Sequence, residues 1–258
     1  MKIAFLGDSI TKGTHGVSYV KMIQDEFCND EILNYGVGGD TVISLNKRLK
    51  TITGLDQQNL IFIFIGVNDI LSQLSPLYKI IKMMMKQKWT KTPKRFSEEY
   101  TKTIKYLTQL NQNIVIIPPL LIGETITSKW NKKIDELVIE IKKISQELNI
   151  IYLDIREKMI NNLNNNKISN YIPYSAKDMK NDGNCKSIEE FDLLSKNRGL
   201  QLTIDGVHIN SLGARIIAKE VIEFITDFKE KEGRWWDNIS QNMSVSKCLE
   251  ILQEMNWK

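Results

Sequence analysis

The chain has 258 residues, 42% of them hydrophobic and 26% charged, an ordinary globular composition with enough apolar material for a sizeable core. A net charge of +4 is too mild to imply a nucleic-acid partner. Cys28, Cys185 and Cys248 are odd in number and scattered, with no CxxC pair, which argues against a disulfide framework or a metal-finger set and predicts a reducing compartment. No apolar stretch approaches the ~20 residues that span a bilayer, so no transmembrane segment is expected, and contact with a membrane surface is not favoured. The apolar run Ile3–Leu6 is too short for the core of a signal peptide and ends in Gly7-Asp8 rather than in a small-residue cleavage site, so a cytoplasmic location is expected.

Short apolar runs alternate with longer helical patterns. Ile3–Leu6, Ile32–Asn34, Leu60–Ile65, Ile114–Ile117 and Ile150–Leu153 read as buried strands: each is short, rich in Ile and mostly bounded by Gly, Pro, Asn or Asp. Between and after them, Val17–Phe27, Val42–Leu49, Ser97–Leu110, Lys129–Leu148 and Leu212–Phe228 carry the 3.6-residue apolar period of amphipathic helices. Such alternation predicts right-handed crossovers and a central parallel sheet of about five strands covered on both faces. Ligands of such sheets bind beyond the carboxyl ends of the strands.

Two segments break the pattern. Residues Ile70–Phe96 hold seven basic residues and no acidic one, with Met83-Met84-Met85 and Trp89 among them. Two readings are open: a lid with an apolar underside and a basic outer face, or a solvated basic helix whose apolar side packs on the body. The second segment, Asn161–Leu202, starts in an Asn-rich run and reads as loops with short helices. These are taken as insertions at about 70–96 and 161–202 in a single domain, 1–232. The extension 233–258, with Trp235, Trp236 and Trp257, is expected to pack on that domain or at a homodimer contact.

The chemistry-bearing residues fall at the ends of the first three strands and near the C-terminus. Gly7-Asp8-Ser9-Ile10 follows the first strand. A helix starting there would aim backbone N–H groups and its positive dipole end at a developing oxyanion, although Ser9 or Asp8 could equally serve only as a helix cap. Three glycines in four positions, Gly36-Val37-Gly38-Gly39, let the backbone come close to a ligand; a tight turn is the plain alternative. Asn68, in Gly66-Val67-Asn68-Asp69, offers a side-chain amide to the same anion or satisfies a local turn. In Asp205-Gly206-Val207-His208 the spacing lets one turn hold a carboxylate against an imidazole, fixing its tautomer. A serine, a histidine and a carboxylate together suit nucleophilic acyl transfer. The chain has only two histidines; His15 is the competing base and reads as a loop or pocket-edge residue.

Each block is weak alone, but the ordered set resembles the four blocks of the SGNH (GDSL) hydrolase family, over roughly residues 1–228. Pro118-Pro119 after the fourth strand and Ser97-Glu98-Glu99-Tyr100 opening a helix also look like family features. The resemblance implies a flavodoxin-like three-layer α/β/α sandwich and hydrolysis of esters with no metal or other cofactor. It makes Ser9 the nucleophile, His208 the base and Asp205 its orienting acid, with an oxyanion hole formed by the Ser9 N–H, the Gly39 N–H and the Asn68 side chain. Asp8, Asp40 and Val207, beside these residues, are expected at the substrate site. The implied substrate is a small acyl ester, such as the O-acetyl group of a carbohydrate. A lysophospholipase or acyl-thioesterase is the alternative within this chemistry, and a non-catalytic binding module on the same fold is the alternative outside it. No G-x-S-x-G or H-E-x-x-H occurs, which disfavours an α/β-hydrolase and a zinc hydrolase. Two departures stand out: the basic segment follows directly on the Asn68-Asp69 block, and Ile209 stands where the family usually has Pro.

Overall fold

The computed structural model describes residues 1–111, 113–164, 171, 182 and 185–242, with side chains described to residue 231 in the last helix. Five strands, β1 (Lys2–Gly7), β2 (Glu31–Gly36), β3 (Leu60–Phe64), β4 (Ile114–Ile117) and β5 (Ile151–Tyr152), form one sheet in the order β2-β1-β3-β4-β5, parallel throughout. Lys2 is in register with Glu31 on one side, and Ile3 with Leu60 on the other. The interior strands are apolar on both faces because both faces are covered. All five residues of β3 are buried, and Phe5 stacks on Phe62 with ring centroids 4.7 Å apart. The result is the expected flavodoxin-like three-layer α/β/α sandwich.

The helices are α1 (Ser9–Lys12), α2 (Tyr19–Glu26), α3 (Val42–Leu49), α4 (Val67–Leu74), α5 (Pro76–Met84), α6 (Pro93–Leu110), α7 (Lys129–Glu147), α8 (Ile155–Asn161), α9 (Ile188–Asn197) and α10 (Ser211–Asn242). Their starts follow capping chemistry more closely than apolar period. The helix expected from Ser97 begins four residues earlier, because Thr92 Oγ1 accepts the Arg95 N–H and Pro93 occupies the first turn, where its missing N–H costs nothing. The helix expected from Val17 begins at Tyr19, capped by Ser18. The strand expected over Ile150–Leu153 shortens to two residues at the sheet edge, where Ile151 is exposed. Within the segment expected as loops with short helices, α9 is a ten-residue helix closed by a Ser187/Glu190 capping box.

Packing divides the chain into two units, Met1–Ala218 and Lys219–Lys258. The first holds the sheet and all of the residues discussed below. The described part of the second is the continuation of α10 to Asn242. The expected packing of Trp235, Trp236 and Trp257 and much of the Asn161–Leu202 reading lie outside the described residues or side chains. Among the described residues no helix is long and apolar enough to cross a membrane.

The basic segment keeps six of its seven basic residues exposed, as the solvated reading expects, and departs from that reading at Lys82. It runs from within α4 through α5 and a return loop into the first turn of α6, and α5 is inverted at one point: Ile80, Met83, Met84 and Met85 are 52–78% exposed, while Lys82 is 1% exposed. The body-facing side carries Tyr78 and Lys82, with Leu77 and Ile81 half-buried.

Candidate active site

The sheet order reverses between β1 and β3, and the crevice beyond such a switch point is where open α/β sheets bind ligands. The loops after β1, β2 and β3 bring Ser9, Gly39 and Asn68 to this edge. The turn after β1 is tight: a Cβ on Gly7 would lie 2.1 Å from Thr11 Oγ1 and 2.7 Å from the Phe64 carbonyl, so only glycine fits. The capping question left open by the sequence is resolved in favour of Asp8, whose Oδ1 accepts the Ile10 N–H at 3.0 Å. That leaves the Ser9 hydroxyl free of capping duty.

Ser9 Oγ lies 2.8 Å from His208 Nε2, although the two residues are 199 positions apart. His208 Nδ1 lies 2.6 Å from Asp205 Oδ2, and Asp205 Oδ1 accepts the backbone N–H groups of Val207 and His208 at 2.9 and 2.7 Å. Gly206 takes φ +85°, which lets the four-residue loop close, and the His208 carbonyl accepts the Ile204 N–H. Burial opposes charge on all these groups. Against it, the imidazolium of His208, the nearby His15 ring and the hydrogen bonds from His208 hold Asp205 well below the usual carboxylate range. Burial likewise works against the His208 imidazolium, but Asp205 outweighs it and the His208 pKa is raised. These are the features a base needs to take a hydroxyl proton while its ring stays in one tautomer.

His15 is placed behind this pair rather than on the serine. Its ring packs edge-on against His208 at 4.4 Å, and its Nε2 is 3.7 Å from Asp205 Oδ2. Among the described residues, His15, Asp205 and His208 also form a set able to offer a metal ligand atoms that all lie within 4.8 Å of one another. Asp205 Oδ2 and His208 Nδ1 already face each other, an arrangement that serves proton transfer.

The other residues expected to contribute, Gly39 and Asn68, lie on the loop after β2 and at the start of α4. Gly39 has φ +76° and sits in a turn closed by the Asp40 N–H on the Val37 carbonyl. Among the described residues, neither the Ser9 N–H nor the Gly39 N–H has a protein acceptor. Asn68, in the first turn of α4, donates from Nδ2 to Asp8 Oδ2 at 3.2 Å and accepts from Tyr78 Oη at 2.5 Å. Asp8, Asp40 and Val207, expected at the substrate site, are all buried. The Asp8 carboxylate is engaged by Ile10 and Asn68, and that of Asp40 by Arg48 at 2.5 Å. Burial raises Asp8 to about 7 and Asp69 to about 6.

Several residues that shape this site carry no motif. Arg48 ties Asp40 to the Gly7 carbonyl. Asp69, itself part of the Gly66–Asp69 block, accepts from the Val42 N–H and from Thr90 through both its N–H and its hydroxyl. Glu124, after β4, collects the N–H groups of Gln201, Leu202 and Thr203 and the Thr203 hydroxyl, bracing the segment that enters the Asp205 loop. Tyr78 and Lys82 reach the donors from α5. The apolar period around them gave no sign of this, because nothing in the sequence separates Lys82 from the exposed Lys79 and Lys86 on either side of it.

A family model described as GDSL-like lipase/acylhydrolase matches residues 3–221. Among curated proteins, no sequence matches significantly. Among solved structures, an acetyl xylan esterase superposes with a TM-score of 0.62 at 19% identity, over 87% of this chain and 100% of the other. A catalytic mutant of an acetylxylan esterase from Geobacillus stearothermophilus gives 0.59 at 18% identity, over 86% and 92%. A lipase/acylhydrolase from Enterococcus faecalis gives 0.57 at 20% identity, over 87% and 94%. At these identities the structural likeness speaks for the fold, while the family match spans most of the chain. The protein is thus a member of the GDSL-like lipase/acylhydrolase family, a serine carboxylic ester hydrolase.

Proposed function

We propose that the protein hydrolyses small acyl esters, O-acetyl groups of a carbohydrate foremost, through an acyl-enzyme on Ser9. The observation that carries this reading is the continuous relay from Ser9 Oγ to His208 and Asp205, at 2.8 and 2.6 Å. His208 takes the Ser9 proton as Ser9 Oγ attacks the ester carbonyl. The tetrahedral oxyanion is held by the N–H groups of Ser9 and Gly39 and by Asn68 Nδ2. The C–O bond to the alcohol breaks, and the alcohol leaves with the proton from His208. Water, deprotonated by His208, then attacks the acyl-serine and releases the acid, returning the proton to Ser9. Asp205 stays ionised throughout and stabilises the imidazolium. A pure binding module has no use for such a relay.

The acetyl preference draws on the neighbours described as acetyl xylan esterases. One observation favours the lysophospholipase or thioesterase reading: exposed Ile80, Met83, Met84 and Met85 on α5, among exposed Lys79, Lys86 and Lys88, suit an acyl-bearing anionic partner. Hydrolysis of p-nitrophenyl acetate, butyrate and octanoate separates the two. The proposal predicts that acetate is turned over fastest and that Ser9→Ala abolishes all three activities in a folded protein. Octanoate turned over fastest would favour the lipid-directed alternative. We also propose a cytoplasmic location, which free Cys28 and Cys185 suit.

A further inference from the structure

Helix α5 buries what a surface helix normally exposes. Tyr78 and Lys82, one helical turn apart, share its body-facing side, while its methionines face outward. A buried ammonium is costly unless its surroundings are built for it. Here they are: Lys82 Nζ donates to the Gly39 carbonyl and, at 2.8 Å, to Gln87 Oε1, and lies 5.2 Å from the Tyr78 ring centroid. Burial lowers its pKa to about 8, against the upward pull of Asp69, Asp8 and Asp40. Tyr78 Oη donates to Asn68 Oδ1. The Lys82–Gly39 and Tyr78–Asn68 bonds each end on a residue assigned above to the oxyanion hole, and each takes the acceptor end of that residue.

The point is sharpest at Asn68. A carboxamide can flip, exchanging its acceptor and its donors. With Tyr78 on Oδ1 and the Asp8 carboxylate on one N–H of Nδ2, one orientation is fixed, and the second N–H remains for a ligand. At Gly39, the lysine holds the carbonyl of a residue whose own N–H has no protein acceptor among the described residues.

We propose that Tyr78 and Lys82 are positioning residues for ester hydrolysis, with α5 acting as a strut that fixes Asn68 and Gly39 as oxyanion donors. The inference rests on the reading of those two residues as the hole. Correctly aimed donors act on charge that develops only in the transition state, so their loss lowers kcat and leaves KM near its starting value. A helix anchor with no catalytic consequence would change stability instead.

The test is a double-mutant cycle on p-nitrophenyl acetate hydrolysis with Tyr78→Phe, Asn68→Ala and the double variant, folding being checked by circular dichroism. Tyr78→Phe keeps the buried ring and removes only the hydroxyl. The expected result is a kcat loss of about tenfold for Tyr78→Phe, the worth of one well-placed hydrogen bond, with KM within about twofold. Asn68→Ala should lose about 100–1000-fold, and adding Tyr78→Phe to it should cost nothing further, because Tyr78 acts through Asn68. Lys82→Met should lower kcat in the same sense, and Tyr78→Phe carries the test if that variant does not fold. Unchanged kcat in Tyr78→Phe, or losses that multiply in the double variant, would overturn the inference while leaving the Ser9 mechanism in place. Full activity in Asn68→Ala would instead remove the oxyanion-hole reading, and full activity in Ser9→Ala the Ser9 mechanism, and the inference with either.

Discussion

The relay side of the site is built from neighbours in sequence, whereas the oxyanion side is built from contacts that span the chain. Asp205 and His208 are three residues apart, and the carboxylate is fixed by N–H groups of its own loop. Asn68, by contrast, is held by Asp8, 60 positions away, and by Tyr78 on the next helix. Gly39 is held by Lys82, 43 positions away. A local loop can carry its chemistry with it. An oxyanion hole assembled from three strand ends needs its donors aligned by whatever packs over them, the role proposed above for α5.

Breaking the relay gives the larger effect. Asp205→Asn is expected to lower kcat by about 10³–10⁴-fold, because the imidazole loses both its tautomer and its counter-charge. It should also move the pH profile. His208 acts as a base only when neutral, so activity rises as pH passes its pKa, which Asp205 holds above the ordinary histidine value of 6.5. Without the carboxylate that rise should shift to lower pH, as a kcat/KM profile of the variant would show. A profile that stays in place would mean that Asp205 does not set the base.

The carboxylate behind the oxyanion side gives a smaller effect, read as stability. Asp8 has its pKa raised from 3.8 to about 7 by burial. Between these values the folded chain keeps a proton that the unfolded chain has released. The stabilisation is therefore complete below pH 4 and is lost as pH rises through 7. Asp69, raised to about 6, and His208, also raised, act in the same direction, whereas the depressed Asp205 changes stability only below the usual carboxylate range. Urea unfolding should therefore show stability falling from pH 5 to pH 8, with Asp8 contributing on the order of 2 kcal/mol. In Asp8→Asn that fall should shrink, whatever the offset caused by the altered contact to Asn68. An unchanged slope would show that Asp8 does not carry the proton.

The same contrast explains what could be read from the sequence. The strands were legible because a parallel sheet covered on both faces demands short, continuously apolar runs such as Leu60–Phe64. Asp205 and His208 were legible because their partnership is written in their spacing. Ser9, Gly39 and Asn68 could be found as turn residues at strand ends, but only their joint order made them a set. Tyr78 and Lys82 were not legible, because hydrophobic patterning assigns Met to the inside and Lys to the outside. Here the Gly39 carbonyl and three remote carboxylates decide otherwise. Glu124 was hidden for a similar reason: its partners lie 77 to 79 positions downstream. Helix starts were misplaced where a cap lay outside the apolar pattern, as at Thr92-Pro93.

The most direct test of the central claim is to label the folded protein with a fluorophosphonate and locate the adduct by mass spectrometry, with His208→Ala as the comparison. Modification at Ser9 in the wild type, and its loss when His208 is removed, is the predicted result. An adduct on another residue, or labelling of Ser9 that does not depend on His208, would contradict the account.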